Sequence, residues 1–168
     1  FIGLSYPGGA EIEIEAKGGD ENRFILPKPL VKEKNFNFSF SGIKTHINIL
    51  TKKNKIDKKF VEDLSASFQK NITEILIEKL ERGLKRLSSE NKNIRSISIV
   101  GGVSNNKYIR SKIENFFVEK NIEIYYPIKE MMGDNAAMIA WACMKFYKKN
   151  RDDLFFKPMP RLGVRSVL

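Results

Sequence analysis

Apolar residues recur at three- and four-residue spacing through the middle of the chain. From Asp57 to about Leu87 this spacing places them on one face of a helix. Asp57 is a residue type that commonly caps the start of a helix. The pattern therefore predicts one long helix, whose apolar face is made by Phe60, Leu64, Phe68, Ile72, Ile75, Leu76, Leu80, Leu84 and Leu87.

Two short runs rich in β-branched residues follow this helix. Residues 94–100 end in Gly101 and Gly102, and residues 122–126 stop at Pro127, so both runs are predicted to be strands. Between them, residues 104–118 have helical spacing. This order of elements implies parallel strands joined by crossover helices, which is an α/β sheet.

A third helix is predicted from Asp134 to about Tyr147. It is rich in alanine and nearly apolar all round, and a helix of that composition is normally buried. It contains the only cysteine, Cys143, which we predict to be a buried structural thiol. A single cysteine excludes an intrachain disulfide and fits a reducing compartment such as the cytosol.

The first 59 residues have weaker patterns. Residues 11–15 alternate Glu and Ile like a strand, whereas Pro7 ahead of them is suited to opening a helix. Residues 36–40 alternate phenylalanine with polar residues, which predicts a strand. Residues 51–59 are the most basic stretch, and we interpret them as an exposed loop and the one point where the chain could be subdivided.

The formal net charge is +10, and such an excess attracts polyanions, of which nucleic acid is the usual one. An AT-rich genome would produce the same bias toward Lys, Asn and Ile, so composition leaves nucleic-acid contact open. No signal-peptide pattern is present, and no apolar stretch approaches the ~20 residues that span a bilayer. Because the chain starts on an apolar run at Phe1, we expect it to be a segment of a longer protein.

Residues 101–106 read Gly-Gly-Val-Ser-Asn-Asn and lie between a predicted strand and a predicted helix. Gly101 and Gly102 would let the backbone approach a ligand, and the helix start offers unpaired N–H groups to an anion. The amide of Asn106 suits a ribose or a base edge. The alternative is a tight turn in which Ser104 caps the helix.

Three further motifs can likewise be interpreted either as ligand-binding or as purely structural. Asp134 follows the second predicted strand, where it would bind a metal or cap a helix. Gly8 and Gly9 follow proline in a turn that would admit a ligand or would only turn the chain. In residues 38–45, Lys44 would meet a phosphate or be a surface charge. The single histidine, His46, is interpreted as structural, and no Cys/His cluster forms a zinc site.

The combination and order of these motifs is more specific than each alone. Tyr-Pro-Gly-Gly, a Phe-x-Leu-Pro-x-Pro-like stretch at residues 24–29, Phe-Ser-Phe-Ser-Gly-Ile-Lys-Thr at 38–45, Gly-Gly-Val-Ser-x-Asn and Gly-Asp-Asn-x-Ala-Met-Ile-Ala follow one another. Together they resemble the TsaD/Gcp family, also called the glycoprotease family, over residues 1–146.

The resemblance implies an actin/Hsp70-like fold (ASKHA, ribonuclease H-like) of two lobes. Residues 1–168 would be the C-terminal lobe, with the N-terminal lobe absent. Residues 1–50 would form an irregular ligand-facing segment, residues 57–150 the core of alternating helices and strands, and residues 151–168 a tail. It also makes residues 7–18 a helix rather than a strand.

The family transfers threonylcarbamoyl from threonylcarbamoyl-AMP to N6 of the adenosine beside the anticodon in tRNAs that read ANN codons. By its pattern Gly9 and Asn106 match positions that contact the adenylate or ATP, with Gly8, Gly101, Gly102, Ser104 and Lys44 as weaker candidates. Asp134 matches a ligand of one metal ion, iron or zinc, which would polarise the carbamoyl carbonyl.

The other metal ligands of the family are two histidines in a His-x-x-x-His motif, which this chain lacks. We therefore expect the full-length cytoplasmic protein to be the acyltransferase and this chain alone to be inactive. The resemblance implies tRNA as substrate and, in bacteria, a TsaB-like paralogue and a TsaE-like ATPase as partners, with neither membrane nor DNA involved.

Three other functions compete with this one. A kinase-like ATPase of the same superfamily would share the glycine turns at the nucleotide. A non-catalytic basic RNA-binding module would bind tRNA in a way that depends on salt and is indifferent to Asn106 and Asp134. A metalloprotease, a label this family has carried, finds no support, because the chain has no His-Glu-x-x-His.

Overall fold

The chain divides into two units, Phe1–Gly133 and Asp134–Leu168, and the computed structural model describes residues 2–146. The first unit is built of four α-helices and two strands among its described residues, and three short 3-10 turns at Ala16–Gly18, Gly102–Asn105 and Lys129–Met131 join them. Its elements are α1 (Gly8–Glu15), α2 (Ser41–Lys53), α3 (Lys58–Ser89), β1 (Ser96–Ser98), α4 (Lys107–Val118) and β2 (Glu123–Tyr125), and the second unit contains α5 (Ala136–Phe146).

Helix α3 confirms the long helix that the apolar spacing predicts. The Asp57 carboxylate accepts a hydrogen bond from the Phe60 backbone N–H at 2.8 Å, which satisfies one of the unpaired N–H groups at the helix start. Two apolar clusters lie along the helix. The first is formed by Leu26, Val31, Ile43, Phe60, Leu64 and Ile75. The second is formed by Ile109, Ile113 and Phe117, with Leu76, Leu80, Leu84, Ile97 and Ile124 packed against them.

The two predicted strands are present and parallel. Strands β1 and β2 pair in the register Ser96–Glu123, Ile97–Ile124 and Ser98–Tyr125, with α4 as the connection between them. Ile97 and Ile124 turn one face of this pair toward α4, where Phe117 is fully buried. A parallel pair joined through a helix is an α/β arrangement, as the order of elements predicts.

Helix α1 resolves the ambiguity at residues 11–15 in favour of the helix. The Pro7 carbonyl accepts hydrogen bonds from the N–H groups of Ala10 and Glu11, so the chain enters the helix directly after proline. The alternation of Glu and Ile is therefore not a strand pattern here.

The strand predicted at residues 36–40 is wrong. These residues adopt no regular structure, and Phe36, Phe38 and Phe40 are each nearly half exposed. Cations of α3 instead hold the backbone just before them: the buried Lys79 ammonium donates to the carbonyls of Leu30 at 2.7 Å and Asn35 at 2.9 Å. A strand needs a hydrogen-bonded neighbour, and alternation cannot supply one.

The basic stretch at residues 51–59 is exposed almost throughout, but only part of it is a loop. Helix α2 continues to Lys53 and α3 begins at Lys58, which leaves residues 54–57 between them. Lysine is a good helix former and is favourable in a last turn, so its charge did not exclude helix.

Helix α5 is present as predicted, but its predicted burial is wrong. Its residues 136–145 are all exposed, including Trp141 at 58% and Met144 at 63%. Cys143, predicted to be a buried thiol, is exposed as well. Composition alone misleads here because burial requires a covering surface. No helix among residues 2–146 is both long and apolar enough to cross a membrane.

Candidate functional site

Gly8 and Gly9 form the first turn of α1, immediately after the cis peptide bond between Tyr6 and Pro7. A Cβ atom built on either glycine would meet no other atom within 4 Å. Gly9 is exposed, and Gly8 is half-buried. No neighbouring protein atom therefore requires glycine at these two positions, and whether this turn contacts a ligand or only turns the chain stays a prediction.

Of the two glycines at residues 101–106, Gly101 has a conformational reason to be glycine. Gly101 has φ of 97°, a left-handed conformation that favours glycine. Its carbonyl accepts hydrogen bonds from the Ser104 backbone N–H at 3.0 Å and from the Ser104 hydroxyl at 2.7 Å. Ser104 is buried and closes this turn, so it does not cap the following helix as the alternative reading had it.

Asn106 is the residue that caps α4. Its side-chain oxygen accepts a hydrogen bond from the Ile109 backbone N–H at 2.9 Å. Its side-chain nitrogen donates to the Oε1 atom of Gln69, on α3, at 2.7 Å. The amide that the sequence pattern assigns to a ligand therefore already makes two protein contacts. Each of its polar atoms retains one further hydrogen-bonding position.

Two carboxylates tie α1 and the turn after it to the start of α4. Glu13, one helical turn after Gly9, accepts a hydrogen bond from the Lys107 backbone N–H at 2.9 Å. Glu21 accepts one from the Tyr108 hydroxyl at 2.8 Å. A carboxylate at a helix start is favourable because the unpaired N–H groups there carry partial positive charge. The structure thus brings the helix that starts at Gly8 and Gly9 to the turn that ends at Asn106.

Burial, and then the neighbouring Glu21 carboxylate, raise the pKa of the Tyr108 phenol above its ordinary value. Both disfavour the phenolate, since burial removes its hydration and Glu21 is negatively charged. Tyr108 therefore stays a neutral hydrogen-bond donor beside the cap of α4.

A buried carboxylate on α3, Asp63, holds the loop that follows α1. It accepts hydrogen bonds from the Arg23 guanidinium at 2.6 Å and from the Asp20 backbone N–H at 2.6 Å, and it pairs with the Lys59 ammonium at 3.0 Å. Burial raises its pKa, but the three donors outweigh burial and bring the pKa down from 3.8 to about 2.

Close packing accompanies this charge cluster. A Cβ atom on Gly19 would lie 2.1 Å from the Glu62 backbone oxygen, so a side chain there would collide with α3. The loop of residues 18–24 is consequently pressed directly onto α3 and fixes the end of α1.

Lys44 lies elsewhere on the first unit. It is exposed on α2, and the apolar residue before it, Ile43, is buried in the cluster that contains Phe60 and Leu64. The contacts of Gly9 and Asn106 described above run through α1, α3 and α4, and Lys44 has no part in them.

Asp134 belongs to the second unit and is exposed. The hydrogen bond to the start of α5 comes from the next residue: the Asn135 side-chain oxygen accepts from the Met138 backbone N–H at 2.9 Å. Among residues 2–146, no three His, Cys, Asp or Glu side chains lie together in a way that could hold a metal ion. Asp134 therefore provides at most one metal ligand, and the described residues do not form a metal site by themselves.

Four residues of this region were missed by sequence reasoning: Glu13, Asp63, Gln69 and Tyr108. The contacts of Asp63, Gln69 and Tyr108 reach across 37 to 87 positions of the chain, and that of Glu13 reaches across 94. Only Asp63 leaves a local signal, because it stands between Phe60 and Leu64 on a helix face that is otherwise apolar there.

Comparisons with known proteins agree on one family. The family model described as "TsaD: tRNA N6-adenosine threonylcarbamoyltransferase" matches residues 1–141. Proteins named tRNA N6-adenosine threonylcarbamoyltransferase from Thermosipho africanus (strain TCF52B) and Wolbachia pipientis wMel are 42% and 38% identical to the chain, over 98% and 99% of its length. The one from Neorickettsia sennetsu is 38% identical over 96%. The matches cover 48%, 49% and 48% of these relatives, so the chain spans about half their length.

Proposed function

The chain belongs to the TsaD family, and from this premise we propose that it is the C-terminal half of a tRNA N6-adenosine threonylcarbamoyltransferase. The full-length enzyme transfers threonylcarbamoyl from threonylcarbamoyl-AMP to N6 of the adenosine beside the anticodon. Half of the relatives' length lies outside this chain, so the chain alone is inactive in this proposal.

The fold we propose is the C-terminal lobe of an actin/Hsp70-like protein. The parallel pair β1–β2 with its helical connection is compatible with such a lobe. In open α/β sheets ligands collect beyond the carboxyl ends of the strands. Gly101 and Gly102 lie at the carboxyl end of β1, which supports placing the adenylate there.

The observation that supports this site best is the tie between α1 and α4. The hydrogen bond from the Lys107 backbone N–H joins the start of α4 to Glu13, which follows Gly9 by about one turn of α1. In the proposed mechanism the open backbone at Gly8 and Gly9 approaches the adenylate. The remaining N–H and lone pair of the Asn106 amide contact its adenosine part and orient it for attack by tRNA.

The charge of the chain supports a polyanionic substrate. The net charge is +10, and Lys52, Lys53 and Lys55 are exposed around the end of α2. Such a field increases the rate at which tRNA reaches the enzyme and weakens with salt. A TsaB-like paralogue and a TsaE-like ATPase are the partners we propose, with the cytoplasm as the location.

A metal ion, iron or zinc, is part of the proposal only for the full-length enzyme. Asp134 would be one ligand and would need others from the half that this chain does not span. We expect Asp134→Asn to reduce the bound metal per full-length enzyme well below one, as measured by elemental analysis. Unchanged metal content would remove this role from Asp134.

The test of the nucleotide site uses Asn106→Ser in the full-length enzyme. Serine still caps a helix, so α4 is kept while the amide is lost. We expect the Kd for ATP or an adenylate analogue to rise about tenfold or more, which corresponds to the loss of one or two hydrogen bonds. Asn115→Ser is the control, because Asn115 is exposed on the same helix. Equal affinities for wild type and Asn106→Ser would contradict the assignment.

A further inference from the structure

The contact between Gln69 and Asn106 joins the middle of α3 to the start of α4. Gln69 is 6% exposed, so its side chain is shielded from water. The distance from Asn106 Nδ2 to Gln69 Oε1 is 2.7 Å, and the two residues are 37 positions apart. This part-buried hydrogen bond is costly to break, because the shielded carbonyl oxygen of Gln69 would be left without a partner.

The chemistry of the contact fixes which way both amides face. A backbone N–H, that of Ile109, can only donate, so the Asn106 atom facing it must be the oxygen. The nitrogen of Asn106 then points to Gln69, and the Gln69 atom facing it must be an acceptor. One backbone donor thus sets the orientation of two side-chain amides in succession.

Gln69 is itself held firmly. It lies within the 32-residue helix α3, next to Lys70, whose ammonium pairs with Glu21 at 3.6 Å. One turn later the Thr73 hydroxyl donates to the Gln69 backbone carbonyl at 2.7 Å. The acceptor that Asn106 meets is therefore carried by α3, the longest helix described in the first unit.

We infer that Gln69 is a positioning residue for nucleotide binding: its side-chain carbonyl holds the Asn106 amide so that one N–H and one lone pair face the ligand. The inference rests on the proposed function, since it takes Asn106 as the contact to the adenosine part. The Ile109 N–H fixes which Asn106 atom is the oxygen, but a single hydrogen bond leaves the amide free to rotate about it. Without an acceptor at position 69, the remaining N–H and lone pair of Asn106 lose their fixed direction toward the ligand. Gln69 contacts Asn106, and we do not propose that Gln69 itself contacts the ligand.

The experiment compares Gln69→Leu, which removes the acceptor at similar volume, with Gln69→Glu, which keeps an acceptor at the same reach. The probe is ATP, and its Kd is measured by calorimetry in the full-length enzyme. Asn71→Leu is the matched control, because Asn71 is a buried polar residue of α3 whose side-chain nitrogen donates to the Leu26 carbonyl at 2.9 Å. Asn106→Ser reports separately on the nucleotide site.

We expect Gln69→Leu to raise the Kd about tenfold and Gln69→Glu to stay within about twofold of wild type. Asn71→Leu should lower the melting temperature without changing the Kd. Side-chain amide NMR signals of Asn106 should shift in Gln69→Leu and persist in Gln69→Glu. The inference is overturned if Gln69→Leu binds like wild type while Asn106→Ser binds weakly. If Asn106→Ser also binds like wild type, the proposed nucleotide site fails, and the inference fails with it.

Discussion

The Asp63 carboxylate and the Arg23 guanidinium lie 2.6 Å apart, although 40 positions separate the two residues. Arg23 is partly exposed, whereas the Asp63 side chain is only 1% exposed. The pair closes the loop after α1 onto α3, and so fixes the helix that begins at Gly8 and Gly9. A buried carboxylate that loses its donors is strongly unfavourable.

Stability should therefore depend on the ionisation of Asp63. Because its pKa falls from 3.8 to about 2 on folding, its contribution is complete above pH 3.8 and is lost as the pH falls toward 2. We expect Asp63→Asn to lower the free energy of unfolding by about 2 kcal/mol at neutral pH. Urea denaturation at a series of pH values should show the two proteins converging in acid.

Glu62→Gln is the control for this prediction. Glu62 neighbours Asp63 on α3 and pairs with the exposed Lys58 at 3.8 Å, a contact that should contribute under about 0.5 kcal/mol. The free energies of unfolding of Asp63→Asn and wild type can be plotted against pH. A difference between them that stays constant down to pH 2 would show that the Asp63 cluster does not stabilise the fold through its charge.

The contact between Asn106 and Gln69 predicts a strong coupling between two substitutions. Asn106→Asp alone keeps the cap of α4, and Gln69 can turn its amide to donate to the new carboxylate. In the Gln69→Glu background two carboxylates would face each other with no donor between them. We expect the double variant to be less stable than the sum of the single effects by about 1–3 kcal/mol.

A double-mutant cycle by chemical denaturation measures this coupling. Lowering the pH to about 4, near the ordinary pKa of both groups, should restore most of the lost stability, because one carboxylate of the pair takes up a proton. Additive effects at neutral pH would mean that the two side chains are not in contact.

The contact from Lys107 to Glu13 predicts a local change in hydrogen exchange. Glu13→Ala removes the acceptor of the Lys107 backbone N–H at the start of α4. We expect this amide to exchange about tenfold faster and the protein to lose about 1 kcal/mol. Glu15→Ala, two residues later in α1, is the comparison and should leave the Lys107 amide protected. Equal protection of the Lys107 amide in both variants would show that Glu13 does not connect α1 to α4 through this hydrogen bond.

Tyr108 should not ionise in the ordinary range of tyrosine. Its pKa is raised by burial and by Glu21, so the neutral phenol and its hydrogen bond are present below the ordinary value of 10.0. The free energy of unfolding therefore falls as the pH rises above 10, because Tyr108 loses its proton in the unfolded chain but keeps it in the folded chain.

A spectrophotometric titration tests this prediction by comparing the absorbance change of the Tyr108→Phe variant with that of wild type. Between about pH 9 and 11 the Tyr108→Phe variant should show the same absorbance change as wild type, since Tyr108 stays protonated there. Glu21→Gln removes the negative charge and should bring part of the Tyr108 signal into that range. A smaller change in Tyr108→Phe than in wild type would contradict the raised pKa.

Much of the fold was predictable because it is periodic. The spacing of Phe60, Leu64 and Ile75 predicts α3, and the β-branched runs predict β1 and β2. Helix α1 was settled by the family resemblance, since the alternation of Glu and Ile alone indicates a strand. The strand at residues 36–40 and the burial of Cys143 were wrong, because both depend on a neighbouring surface that a pattern along the chain does not contain.

The family, the α/β order and the two glycine-containing turns could be predicted from the amino-acid sequence, because they depend on local spacing and on the order of motifs. The packed structure was needed to show that Asn106, and not Ser104, caps α4, and that Gln69 and Glu13 contact the start of α4. The difference lies in the distance along the chain over which each interaction acts. Helix periodicity and turn chemistry act over a few residues, whereas the hydrogen bonds from Asn106 to Gln69 and from Lys107 to Glu13 form only after packing brings α3 and α1 against α4.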